Sequence, residues 1–129
     1  MPDYRISATR TEAVEVGDGN AISFLGEHGP RVLSTPNMIL YMEQTCRNLL
    51  LEMLDPGHDS LGTHVNVSHS AAAPLGSTVT FHAELIAVNK RRVDFRVAAM
   101  LGDKVVGEGT HQRGVIDVSR FAEKLKEQN

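Results

Sequence analysis

The sequence has one long segment with helical periodicity, and four of its five strand-like segments follow that helix. The helical segment covers residues 34–54, "STPNMILYMEQTCRNLLLEML", where apolar side chains recur at the spacing of one helix face. Thr35 is predicted to be the N-cap and Pro36 to occupy the first helical position. The proline and glycine of "DPGHDS", residues 55–60, are predicted to end the helix.

The segments after the helix have the alternation or the β-branched composition that is typical of strands. They cover residues 63–70, 77–88, 92–101 and 104–117, and the two-residue Gly102–Asp103 connection predicts a hairpin between the last two. Another strand is predicted within residues 3–17, and a short terminal helix is predicted to begin at Ser119. A run of strands after one helix is typical of α+β proteins, in which the helix packs on an antiparallel sheet. The free edge of such a sheet favours pairing of two chains across a two-fold axis.

Length and composition limit the number of domains and the classes of function. The 129 residues fit one domain, so residues 1–129 are predicted to form a single unit. The net charge of −3 lacks the basic excess that binds phosphate backbones, so no nucleic-acid partner is predicted. The N-terminal "MPDYRISATR" lacks the apolar core of a signal peptide, and no segment has the length of a membrane span. We therefore expect a cytoplasmic protein without a membrane partner.

The cysteine and histidine residues do not form a recognisable metal-binding pattern. Cys46 is the one cysteine, which excludes an internal disulfide and any zinc site built from several cysteines. It lies in the apolar stripe of the helix and is predicted to be a core residue. His64 and His69 are an odd number of residues apart on one predicted strand, so they point to opposite faces. No metal site is predicted.

Two polar side chains interrupt faces that are otherwise apolar. At about 100° per residue, Glu43 falls inside the apolar arc of the helix, between Ile39 and Cys46. His69 shares a strand face with two valines, at positions 65 and 67. A single buried carboxylate or histidine is more often structural than functional. Two of them, on elements that pack together or meet across a dimer, favour an acid–base pair.

Three segments in register resemble one known family. "LSTPNMILYMEQTC", "SLGTHVNVSHSAAAPLG" and "GEGTHQRGVI" are similar to the small hotdog-fold thioesterases typified by fluoroacetyl-CoA thioesterase. The similarity extends over residues 34–116. It implies an α+β hotdog fold, in which an antiparallel sheet wraps one central helix. It also implies a homodimer, or a tetramer of two such dimers.

The resemblance further implies an active site. The catalytic Thr, Glu and His of the family fall on Thr35, Glu43 and His69. A glycine whose backbone N–H faces the thioester carbonyl falls on Gly62, and a substrate-contacting arginine falls on Arg113. The expected reaction is hydrolysis of a short or small acyl-CoA to the free acid and CoA. Because coenzyme A is part of the substrate, no separate cofactor is expected.

The segment before the helix departs from the fluoroacetate-specific member of the family. That member carries aromatic residues there, forming a lid over the acyl group. The corresponding "LGEHGPRVLS" contains no aromatic residue after Phe24. A different and broader acyl-CoA substrate is therefore expected.

Several alternatives remain open at the level of sequence. Glu43 either attacks the carbonyl as a nucleophile or activates a water molecule. Thr35 is also an adequate N-cap, Gly62 has the character of a turn glycine with positive φ, and Arg113 that of a solvated strand residue. If Glu43 and His69 are only structural, the chain is a non-catalytic acyl-CoA-binding module. A hydratase or dehydratase of this fold is disfavoured, because its Asp-and-His motif is absent.

Overall fold

The computed structural model describes residues 2–128, which form one sheet and two helices. The elements in chain order are β1 Thr9–Glu15, α1 Thr35–Leu51, β2 His58–His69, β3 Thr78–Asn89, β4 Arg92–Leu101, β5 Lys104–Asp117 and α2 Val118–Glu127. The predicted order of strand, helix and four strands is confirmed. The last helix begins at Val118 and not at Ser119, because the Asp117 side chain caps it by accepting a hydrogen bond from the Arg120 N–H (3.2 Å).

The five strands form one antiparallel sheet in the order β1-β3-β4-β5-β2. The predicted hairpin between β4 and β5 is confirmed, with Gly102 and Asp103 as its two connecting residues. Gly102 has φ +59°, a left-handed conformation that glycine adopts without a steric penalty. The long strand β2 lies at one edge of the sheet, and β1 lies at the other.

The helix α1 packs across one face of the sheet and covers its centre. Its buried side chains are those of Met38, Met42, Thr45, Cys46, Leu49 and Leu50. The inward positions of β3 and β4, which include Phe81 and Phe95, belong to the same buried cluster. One helix against a five-stranded antiparallel sheet is the α+β hotdog arrangement predicted from the sequence, which is thereby confirmed. Within residues 2–128, no helix is long and apolar enough to cross a membrane.

The first turn of α1 differs from the prediction. Ser34 is the N-cap, with an extended backbone (φ −75°, ψ 150°), and its Oγ accepts hydrogen bonds from the backbone N–H (3.2 Å) and the side-chain amide (2.7 Å) of Asn37. Thr35 is the first helical residue and Pro36 the second. The proline is tolerated there because the N–H groups of the first turn have no partner within the helix. The prediction of Thr35 as the cap was therefore wrong. Since Ser34 caps the helix, the Thr35 hydroxyl can make another contact.

A β-bulge in β2 changes which residues face the helix. Pairing with β5 shifts after Gly62, so that Thr63 is an extra residue on β2. On one side of the bulge, Ser60 is buried and Gly62 approaches α1. On the other side, Val67 packs against the core and His69 contacts α1. Without the bulge, even-numbered and odd-numbered positions of β2 would face opposite sides of the sheet. Because of the bulge, the even-numbered positions before it and the odd-numbered positions after it both face the helix.

The two neighbouring hydroxyls at the start of α1 are expected to differ in their effect on stability. Ser34→Ala should lower the free energy of unfolding by about 1 kcal/mol, because the helix loses its cap. Thr35→Ala should change it by less than about 0.5 kcal/mol, because Thr35 is exposed and caps nothing. Urea denaturation followed by circular dichroism measures both values. A loss for Thr35→Ala as large as that for Ser34→Ala would contradict the assignment of the cap.

Candidate active site

Thr35 and His69 form a hydrogen-bonded pair at the N-terminal end of α1. The Thr35 Oγ1 lies 2.7 Å from the His69 Nδ1. The first residue of α1 supplies the hydroxyl, and the last residue of β2 supplies the imidazole. Because Ser34 caps the helix, the Thr35 hydroxyl can orient the His69 ring. This contact occupies Nδ1 and leaves Nε2 for another partner.

The Glu43 carboxylate lies in a second group of polar residues, two turns further along α1. Its Oε2 is 3.8 Å from the Nη1 of Arg113. The side chain is 36% exposed, so it lies at the edge of the apolar face and not within the core. The carboxylate is therefore accessible to a small molecule and also close to a cation.

Gly62 lies close to the side chains of Glu43 and His111. A Cβ atom at this position would lie 3.0 Å from the Glu43 Oε2 and 3.2 Å from the Cε1 of His111. Both distances are shorter than an ordinary van der Waals contact. The glycines with positive φ are Gly26, Gly57, Gly76 and Gly102. Interpretation of Gly62 as a turn glycine with positive φ was therefore wrong.

Arg113 is buried, in contrast to the solvated strand residue that the sequence alone favoured. It is 5% exposed, and three hydrogen bonds hold its guanidinium. The Nε donates to the Ser60 Oγ (2.7 Å), and the Nη2 donates to the Ser60 carbonyl oxygen (2.9 Å). The Nη1 lies 3.1 Å from the His111 Nε2. Arg113 thus finds acceptors on β2 and on its own strand, so its charge can be buried.

The hydrogen bonds of His111 determine its tautomer. The His111 Nδ1 lies 2.8 Å from the His64 carbonyl oxygen, which only accepts, so Nδ1 carries the proton. Arg113 only donates, so the His111 Nε2 is the acceptor. Burial lowers the pKa of His111, the bond to His64 opposes that shift, and the Arg113 charge adds to it. The ring is therefore neutral at physiological pH.

Ser60 and His111 are site residues that the sequence did not assign. His111 and Arg113 lie two positions apart on the last strand and so share a face, which is the one signal in the sequence that points to His111. Ser60 gives no such signal, because its contact with Arg113 comes from the pairing of β2 with β5, in which Ser60 lies two residues before Gly62, the partner of Arg113. Only the folded chain brings these residues together.

Cys46 lies near the second group but has no nucleophilic character. Its side chain is fully buried, and burial raises the pKa of the thiol to about 12. Such a thiol is protonated at neutral pH and unreactive. Prediction of Cys46 as a core residue is confirmed.

The two groups of polar residues do not meet within one chain. Thr35 and Glu43 are eight positions apart on α1, which corresponds to about 12 Å along the helix axis. The structure brings Thr35 to His69, and it brings Glu43 to Gly62 and Arg113. Among the described residues, no hydrogen bond or ion pair joins Glu43 to His69. One chain therefore contains two separate parts of the predicted site.

No metal centre accompanies these groups in the part of the chain that the structure describes. No cluster of three or more His, Cys, Asp or Glu side chains within residues 2–128 is arranged to hold a metal ion. The polar chemistry of the site is that of a carboxylate, a guanidinium, two hydroxyls and two imidazoles.

Comparison with solved structures defines the class of protein. A crystal structure of the fluoroacetyl-CoA thioesterase FlK matches with a TM-score of 0.87 and 34% identity, covering 98% of each chain. A hot-dog-like protein from Thermanaerovibrio acidaminovorans matches with a TM-score of 0.87 and 22% identity, covering 97% of this chain and 93% of the other. The chain has the hotdog fold of thioesterases.

Comparison of sequences defines the family. The profile of the FlK family, fluoroacetyl-CoA-specific thioesterase, matches residues 16–119. The fluoroacetyl-CoA thioesterase of Streptantibioticus cattleyicolor is 43% identical over 98 residues, which are 76% of this chain and 70% of that protein. The chain therefore belongs to the fluoroacetyl-CoA-specific thioesterase family. The resemblance found in the sequence is confirmed, as is the predicted enzyme class of thioester hydrolase.

The neutral state of His111 predicts a pH dependence of stability. The pKa of His111 in the folded chain lies below its unfolded value of about 6.5. Its contribution is thus fully present above about pH 6.5 and is lost as the pH falls through the folded pKa. Chemical denaturation between about pH 7.5 and about pH 5 should show this loss. His111→Gln, which cannot titrate, should flatten the decline over that range, and an unchanged slope would contradict the assignment.

Proposed function

We propose that the protein hydrolyses the thioester of a short or small acyl-CoA to the free acid and CoA. The observation that carries this proposal is the half-exposed Glu43 carboxylate, held beside Gly62 and the buried Arg113. Membership of the family supports it. An FlK variant that is 36% identical to this chain has been solved in complex with fluoroacetate and CoA.

The free edge of β2 offers a way to unite the two parts of the site. Residues 61–66 are all exposed, including the apolar Leu61 (44%) and Val65 (37%). A long exposed edge strand with apolar side chains readily pairs with another strand. In our proposal, β2 pairs with β2 of a second copy, and the chain is a homodimer with one continuous sheet.

The bulge in β2 restricts the register of this pairing. In an antiparallel pair, residues directly opposite each other have side chains on the same face. A two-fold axis through Val65 places Val65 of one chain opposite Val65 of the other. If Thr63 is left out as the extra residue of the bulge, the paired residues on both sides of the axis then face the same side of the sheet. His69 of the partner subunit then lies opposite Ser60, whose side chain binds Arg113.

This register brings the hydroxyl–imidazole pair of one chain next to the carboxylate group of the other. Thr35 and His69 of the partner subunit arrive together, because a hydrogen bond joins them. They reach the part of β2 before the bulge, where Gly62 and its neighbour on β5, Arg113, flank Glu43. A dimer in this register therefore has two complete sites, each built from both chains.

Each residue has a role that its contacts support. Glu43 either deprotonates a water that attacks the thioester carbonyl, or attacks the carbonyl itself and forms an acyl-glutamate anhydride that water then hydrolyses. The Gly62 N–H and the Arg113 charge stabilise the negative charge that develops on the carbonyl oxygen. His69 of the partner subunit donates a proton to the departing CoA thiolate through Nε2, because Thr35 occupies Nδ1. The products are the free acid and CoA.

The loop before α1 supports a broader range of acyl groups than fluoroacetyl. Phe24 and Leu25 in this loop are both exposed. No aromatic residue follows Phe24 before Tyr41, which lies within the helix. Because this loop has no aromatic side chain next to the helix to cover the acyl group, it does not restrict the substrate to one kind of acyl group. We therefore assign small acyl-CoAs as a class to this protein.

Assay of thiol release from a panel of acyl-CoAs tests the proposed reaction. The wild-type protein should release CoA from short acyl-CoAs. Glu43→Gln keeps the shape of the side chain without its charge, and it should lower kcat by about 100- to 1000-fold. Glu108→Gln, an exposed change on β5, is the matched control and should retain full activity. Binding of acyl-CoA in calorimetry without any thiol release would favour the non-catalytic binding module.

Mixing of two inactive variants tests whether the site combines two chains. Glu43→Gln and His69→Gln chains, refolded together, form a mixed dimer in which one of the two sites keeps both wild-type residues. With statistical assembly, the mixture should recover about one quarter of the wild-type activity. Each variant refolded alone is the control. A mixture as inactive as its two components would show that Glu43 and His69 do not act across a dimer.

A further inference from the structure

The Arg113 guanidinium is oriented by residues other than the carboxylate that it faces. Its distance to the Glu43 Oε2, 3.8 Å, is too long for a hydrogen bond. The contacts within hydrogen-bond distance go to Ser60 and His111, at 2.7 to 3.1 Å. Glu43 thus keeps its oxygens free for chemistry while the charge of Arg113 stays near.

His111 is itself held in place from three sides. It is 1% exposed, and its Nδ1 is bonded to the His64 carbonyl oxygen at 2.8 Å. Its ring stacks with that of Phe95, with the centroids 6.4 Å apart and the planes at 29°. A ring fixed in this way presents its Nε2 lone pair in one direction, towards the Nη1 of Arg113.

The contacts of His111 leave no room for a role in proton transfer. Both ring nitrogens already have partners, one as donor and one as acceptor. A second proton, on Nε2, would abolish the bond from Arg113 and place two cations in contact. Any influence of His111 on the reaction must therefore pass through Arg113.

From these contacts we propose that His111 is a positioning residue, which accepts a hydrogen bond from Arg113 and so keeps the guanidinium from closing onto Glu43. The inference rests on the proposed thioesterase function. Without the Nε2 acceptor, a buried guanidinium takes the nearest remaining acceptor, because an unpaired buried donor is costly. That acceptor is the Glu43 carboxylate, and a direct ion pair there would occupy the group that has to react.

Two substitutions separate the acceptor from the bulk of the His111 ring. His111→Leu removes the acceptor, and it should lower kcat by about 10- to 100-fold with KM changed less than about threefold, as for a small misplacement of a reacting group. His111→Gln can still accept from Arg113 through its Oε1, and it should stay within about threefold of wild type. Val97→Ala, a buried change elsewhere in the sheet, controls for loss of stability and should leave kcat per folded chain unchanged.

A double variant tests whether His111 acts through Arg113. In an Arg113→Leu background there is no guanidinium to position, so adding His111→Leu should cause no further loss of kcat. If the double variant lost kcat by the product of the losses in the two single variants, the inference would be overturned. Equal kcat values for His111→Leu and His111→Gln would overturn it as well. If His111→Leu does not fold, Ser60→Ala, which removes one other acceptor of Arg113, should lower kcat in the same way.

A crystal structure of the His111→Leu variant provides a readout that needs no activity. The Arg113 Nη1 should move from 3.8 Å to within hydrogen-bond distance of the Glu43 Oε2. A guanidinium that stays within about 0.5 Å of its place would overturn the inference. A wild-type protein that releases no CoA, together with this movement, would overturn the proposed reaction alone. An active wild type with unaffected His111 variants would overturn only the role of His111.

Discussion

Burial of the Arg113 guanidinium is the constraint on which the geometry of the site depends. A buried charge is tolerated only when acceptors surround it, and here Ser60 supplies two of them and His111 a third. For Ser60 to reach Arg113, this part of β2 must turn its even-numbered positions towards α1. The bulge at Thr63 permits that turn and restores the odd-numbered face, with His69, at the end of the strand. The bulge therefore allows β2 to supply both the acceptors of the buried Arg113 charge and the His69 imidazole.

Local patterns predicted most of the fold. The apolar stripe of α1, the alternation of β3 and β4, and the Gly102–Asp103 hairpin all depend on residues close together in sequence. Where two local choices were equivalent, the prediction failed. Ser34 and Thr35 both offer a hydroxyl to the first turn, and the choice depends on Asn37 and on the distant His69.

The site was predicted less completely, because burial of polar groups depends on distant partners. Family resemblance selected Glu43 and Arg113 by position, but the sequence alone favoured a solvated Arg113. Its acceptor Ser60 lies 53 positions away, and periodicity carries no information on such a pairing. Alternation also hides the bulge, so it could not place Gly62 beside Glu43. Periodicity tells which face a residue occupies, but not how far along that face two residues lie.

The edge position of β2 connects assembly with chemistry. An unpaired edge strand with exposed apolar residues is a liability for aggregation, and proteins usually cover it or blunt it with charge. Residues 61–68 of β2 contain no Asp, Glu, Lys or Arg, so this edge is suited to pairing. The same strand carries Gly62 just before the bulge and His69 at its last position. In the proposed dimer, the pairing that covers the edge is also the step that completes each site, so neither half-site can act on a thioester alone.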